Sequence, residues 1–208
     1  MSRIDALEII KQSFWISFRH PIIFTLVLPL VVSMITVLIS IFVLFFSLYP
    51  TNLFLIFTSL VLLLFSFWLG MLSAGSIILF VEKIYKHRKV RFWDVLNKSF
   101  ENSLRLIIAY SLEQLFLMLG FLFFVIPGIF LTVKLSLVVP GCILEKKGFG
   151  IKRSWNATKN NFWKIFLILV IWNVLFMVFG FIPYLSILTI FLIPVYLTTL
   201  TLLYIRLR

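Results

Sequence analysis

The chain has 208 residues, 62% of them hydrophobic and 18% aromatic, and a net charge of +12. In a soluble protein such a charge would suggest nucleic acid. Here the bases sit beside long apolar blocks, where they orient helices and meet anionic headgroups, so nucleic acid is excluded as a partner. The single cysteine, Cys142, rules out an intramolecular disulfide.

The first 20 residues carry Asp5 and Glu8 among bases, and the apolar block after them is too long for a signal-peptide core, so the first helix reads as an uncleaved signal anchor. Three apolar blocks then follow, at about 21–81, 106–144 and 165–205, broken near their middles by Pro50, Pro127 and Pro183. Each is about twice the roughly 20 residues that one helix needs to cross a bilayer, so each is expected to be a helical hairpin. The expected fold is all-α: one integral membrane domain over residues 1–208, with six transmembrane helices in three hairpins. All but one of the 19 Lys and Arg residues lie between or outside these blocks, and none lies at the three proline turns. The positive-inside pattern predicts a multi-pass protein of the cell membrane with both termini cytoplasmic.

Before each hairpin comes a stretch with helical periodicity. Ile4, Leu7, Ile10, Phe14 and Phe18 are expected to form one apolar face, followed in the second unit by Phe92, Leu96, Phe100 and Leu104, and in the third by Ile151, Trp155, Thr158 and Phe162. These read as amphipathic interfacial helices. Each contains a serine followed by an aromatic residue: Ser13-Phe14, Ser99-Phe100 and Ser154-Trp155. The first has Ser2 and Asp5 at capping-box spacing. In the first return helix, Gly70 and Ala74 have the spacing that lets membrane helices approach closely.

Glu113 and Lys134 are the charges placed at membrane depth. Such residues are candidates for function. Counted by helical rise from the Pro127 turn, Glu113 lies about 21 Å down and Lys134 about 10 Å down, which disfavours a direct ion pair. Lys134 is expected to snorkel toward the outer headgroups. Asn173 is the better partner for Glu113, with Tyr110, Gln114 and Trp172 at similar depth. Interhelical hydrogen bonding is the plainer role for this group, and a proton or cation relay the sharper one. Catalytic, metal and cofactor sites are not expected: His20 and His87 sit at membrane edges in different units, no His, Cys or carboxylate cluster has ligand spacing, and no glycine-rich phosphate loop occurs.

From Phe124 onward, Ile126-Pro127-Gly128-Ile129, Val138-Val139-Pro140, Glu145 with Gly148, Ser154 and Trp163 resemble the six-helix membrane domain of some bacterial glycerophosphodiester phosphodiesterases and its stand-alone bacterial and archaeal relatives. The resemblance covers about 40 residues well. Family members often show Ala-Leu where this chain has Gly150-Ile151. The catalytic domain of those enzymes is not found in this sequence, so their activity is not carried over. The resemblance implies a multi-pass membrane protein. In structural terms Pro127 and Gly128 would make a tight outer turn, Pro140 would end or bend a helix, and Glu145 would pair with Lys146, Lys152 or Arg153. The functional expectation is a non-enzymatic membrane module that organises lipids or a partner membrane protein. The alternative is a small transporter or channel component using Glu113 and Asn173, and an enzyme ranks last.

Overall fold

The computed structural model describes residues 5–47, 52–145, 148–181 and 189–207. Its elements are α1 (Ala6–Arg19), α2 (Ile22–Thr25), α3 (Leu28–Ser47), α4 (Leu53–Tyr85), α5 (Phe92–Glu101), α6 (Ser103–Phe123), α7 (Val125–Leu135), α8 (Val138–Leu144), α9 (Ile151–Thr158), α10 (Phe162–Phe181) and α11 (Thr189–Leu207). Among the described residues six spans are long and apolar enough to cross a membrane: Ile22–Phe46, Leu53–Tyr85, Ser103–Phe123, Val125–Leu144, Phe162–Phe181 and Thr189–Leu207. The protein is an all-α polytopic membrane protein. The expected turns at Pro50 and Pro183, the capping role of Ser2, the contact of Ile4 and the pairing of Lys146 lie outside the described residues.

Local chemistry sets several helix ends. Asp5 caps α1 by accepting from the Leu7 amide at 3.1 Å, and Asn52 caps α4 by accepting from Phe54 at 3.1 Å. The helices reach into the charged segments further than apolarity alone suggests. α6 starts at Ser103 rather than Leu106, with Arg105 in its first turn, and α10 starts at Phe162 rather than Ile165.

The second hairpin turns at Phe124, whose extended backbone (φ −170°, ψ 159°) separates α6 from α7. This corrects the expectation for Pro127 and Gly128, which instead lie in the first turn of α7. Proline suits that place because its missing N–H would have had no helical partner. Gly128 lets the two arms of the hairpin meet: a methyl group there would strike the Phe121 ring, and one on Gly120 would come within 3.2 Å of the Gly128 Cα.

Two membrane helices break just before a proline, and in each a serine from another helix fills the break. A proline ring clashes with the carbonyl four residues back and removes one ladder bond. Pro140 accordingly sits in the first turn of α8, and the helix breaks upstream at Ser136–Leu137. There Ser154 Oγ donates to the Lys134 carbonyl at 2.6 Å and accepts from the Leu137 amide at 3.2 Å. Pro29 similarly follows the break between α2 and α3, and Ser73 Oγ donates to the Leu26 carbonyl at 2.6 Å. In a bilayer, where water cannot satisfy such groups, these bonds make the breaks tolerable.

The return helices α4, α8 and α11 pack on one another, and their buried residues dominate the core: Ile77 to Val81, Val138, Cys142, and Val195 with Leu200 to Tyr204. The short helices α1, α5 and α9 each dock on a return helix of the preceding hairpin, taken cyclically. α5 packs on α4, α9 on α7 and α8, and α1 on α11. Ser99 Oγ donates to the Leu72 carbonyl at 2.9 Å, Ser154 bridges α7 and α8 as above, and Ser17 Oγ reaches Thr198 of α11 at 3.4 Å. The repeat seen along the chain therefore closes into a ring.

This docking corrects the expected apolar faces. In α1 the buried residues are Ala6, Ile9, Ser13, Ile16 and Ser17, while Leu7 and Phe18 are exposed. In α5 Val95 and Ser99 are buried and Phe100 is exposed; in α9 Ser154 and Thr158 are buried and Trp155 is exposed. Ser13, Ser99 and Ser154 turn inward because a small side chain allows close backbone approach. Ser99 and Ser154 bond across helices, whereas Ser13 donates to the Ile9 carbonyl of its own helix at 2.8 Å and Ser17 makes the bond to α11. The small-residue contact also shifts. Gly70 faces only Ser33 Oγ at 3.7 Å, whereas a methyl group on Gly75 would strike Ser99 Oγ and approach Leu106 Cδ1 to 2.7 Å and Ile143 Cδ1 to 2.9 Å.

Candidate functional site

The polar groups expected at depth do not form one cluster. Glu113 is buried, at 9% exposure, and its Oε2 reaches no hydrogen-bond partner among the described residues. Asn173 lies on the exposed face of α10, and its amide donates to the Leu169 carbonyl of its own helix at 2.8 Å. Gln114 is likewise exposed. The rotation of α10 brings Trp172 into the core instead, fully buried, with its Nε1 also unpartnered. Its ring meets Tyr196 of α11 edge-on at 5.6 Å and stacks on Phe14 of α1 at 6.0 Å. Glu113 and Trp172 are thus buried polar groups with an unpartnered atom each among the described residues, and Tyr196 borders Trp172. Glu113 forms no interhelical hydrogen bond with Asn173 here.

Lys134 does not reach outward. It is buried, and its Nζ lies 5.4 Å from the Trp155 ring centre and 5.6 Å from that of Phe130, a cation–π arrangement that holds it against α9. The break after α7 explains this, because α9 packs into it and brings Trp155 over the lysine.

The motif residues near α8 form a structural clamp. Glu145 pairs with Arg153 and accepts from the Tyr204 hydroxyl of α11. Arg105 of α6 donates to the backbone carbonyls of Glu145 at 2.6 Å and Gly148 at 2.5 Å, fastening the loop before α9. Sequence reasoning anticipated Arg153 but missed Arg105 and Tyr204, since nothing local in the chain links them to Glu145. Gly150 sits where its backbone requires glycine. It has φ +81°, and a methyl group there would strike the Val138 carbonyl and come within 2.7 Å of the Cys142 amide. Trp163 is the second residue of α10 and is exposed, edge-on to Phe162 at 5.6 Å.

Two cavities are notable. One, of about 530 Å³, lies where α1 ends and α4 ends; Trp15, Arg19, His20, His87 and Arg88 line it together with Ile22, Phe80 and Ile84. The other, of about 540 Å³, is an apolar groove between α7 and α10 that includes Val133, Phe166 and Asn173. Glu113 lines neither. Among the described residues no group of three His, Cys, Asp or Glu side chains is placed to hold a metal ion. No family model, curated protein or solved structure matches the chain.

Proposed function

We propose that the protein is a non-enzymatic membrane module of the cell membrane, with both termini cytoplasmic, that organises anionic lipids around its ring of short helices. The observation that carries this reading is the docking of α1, α5 and α9 through Ser17, Ser99 and Ser154. It fixes three base-bearing helices against the return helices, and bases held at a membrane surface attract anionic headgroups by about 1 kcal/mol each. The resemblance of the segment after Phe124 to the membrane domains named above fits a module of this kind. Energy transfer from labelled protein to fluorescent phosphatidylglycerol and phosphatidylcholine analogues in mixed vesicles tests it. Enrichment of the anionic lipid near the protein is expected, and an even distribution would contradict the reading.

The second reading, a small transporter or channel component, is favoured by one observation: the unpartnered Glu113 Oε2 and Trp172 Nε1 in the bundle core. Its test is separate. A proton current in reconstituted vesicles that vanishes in Glu113→Gln would replace the module reading, because the amide fills the same space but cannot exchange a proton.

A further inference from the structure

The cavity at the junction of α1, α2 and α4 has three features that point to a ligand. Its polar rim is entirely basic or imidazole, from Arg19, His20, His87 and Arg88, and no acidic residue lines it. The nearest acid in sequence, Glu82, is occupied by Lys86, and among the described residues neither Arg19 nor Arg88 has a carboxylate partner. Arg19 is instead held over the Trp15 ring at 4.5 Å, which fixes its guanidinium without neutralising it.

The backbone of His87 is the second feature. α4 ends in a Schellman motif: the Arg88 amide donates to the Lys83 carbonyl at 2.9 Å and the His87 amide to Ile84 at 2.9 Å. The residue in the left-handed position of that motif is usually glycine. Here it is His87, at φ +52°. A side chain that glycine would replace with less strain is thereby turned into the cavity, beside Arg88. Strain of this sort gathers at ligand clamps.

Third, the cavity is two-toned. Beside the basic groups the lining is apolar, with Ile22, Ile84 and the buried Phe80, and Ile22 opens the first membrane span. A free phosphate would use the basic groups and leave this lining bare, whereas a phospholipid presents a phosphate joined to apolar chain. Two guanidiniums lining one cavity suit a phosphate oxygen pair.

We propose that this cavity is a binding site for the phosphate headgroup of an anionic phospholipid, with Arg19 and Arg88 holding the phosphate, His20 and His87 bordering it, and the first part of an acyl chain lying on Ile22 and Ile84. The site rests on the module reading only in placing this end of the bundle at an anionic leaflet. Lipid can be enriched around the protein without occupying this cavity, so the two ideas fail separately.

The test is native mass spectrometry of the full chain in mixed micelles, titrated with phosphatidylglycerol or phosphatidylcholine. Phosphatidylglycerol is expected to be retained preferentially, and Arg19→Gln with Arg88→Gln to weaken it about ten-fold or more. Lys83→Gln with Lys164→Gln, an equal charge change outside the cavity and the three short helices, should leave it unchanged. His87→Gly should raise the thermal midpoint and yet lower lipid retention, so it carries the test even where the double variant does not fold. Equal losses in both double variants would reduce the site to diffuse charge and overturn the proposal. Displacement of the lipid by inorganic phosphate at comparable concentration would overturn it too, since the occupant would then be free phosphate. Equal retention of phosphatidylcholine would show that the phosphate's charge environment is not what is recognised.

Discussion

The two halves of α4 are equally apolar and meet different fates. In residues 53–71 the large side chains Leu53, Phe54, Phe57, Leu60 and Leu64 are exposed, and the buried residues are Ser59 and Ser66. In residues 72–81 nearly everything is buried, from Leu72 and Ser73 to Val81. The first half, with α3, faces lipid; the second is the centre of the packed ring. Hydropathy cannot separate the two, because lipid and core are both apolar solvents for a leucine. What separates them is where small and hydroxylated residues admit a neighbour. Ser40 reaches the Ser59 carbonyl at 2.8 Å and ties α3 to α4 alone, whereas Gly75 stands at the crossing of α4 with α5, α6 and α8.

The contrast can be broken most severely at Gly150. Gly150→Ala combines a left-handed backbone with a collision against the backbone of α8, and should cost about 3 kcal/mol, read as a fall in the thermal midpoint in detergent. Gly75→Ala should cost about 2 kcal/mol by the same measurement, since its three neighbours are side-chain ends that can yield in part. Ser154→Ala leaves the Lys134 carbonyl and the Leu137 amide without their partner, a loss of about 1–2 kcal/mol that should also speed amide exchange at Leu137. Leu64→Ala, in the lipid-facing half, should change stability by no more than about 0.5 kcal/mol. If Leu64→Ala costs as much as Gly75→Ala, the division of α4 is wrong.

The spans were legible in the sequence because each block is long, uncharged and bounded by bases. Pro140 was legible too, since a proline disturbs the turn before it whatever surrounds it. The ring closure was not, because which face of a short helix turns inward depends on what it packs against: α1 buries Ile9 and Ser13 rather than Leu7 and Phe18. The same reason separates Glu113 from Asn173. Depth can be counted from helical rise, but the rotation of α10 that selects Trp172 over Asn173 is fixed by Phe14 and Tyr196, from helices far away in the chain. Lys134 was misplaced because its depth was read from a continuous helix, and the break at Ser136 lets α9 come alongside it.

Closure of the ring between the first short helix and the last span is the central claim, and one cross-link tests it. In a Cys142→Ala background, Ser17→Cys paired with Thr198→Cys should form an intramolecular disulfide on mild oxidation, because the native hydroxyls lie 3.4 Å apart and a disulfide needs Cα atoms about 5.5 Å apart. Ser17→Cys paired with Ser40→Cys should form none. Failure of the first pair to close in a folded protein, or closure of both pairs alike, would contradict the ring.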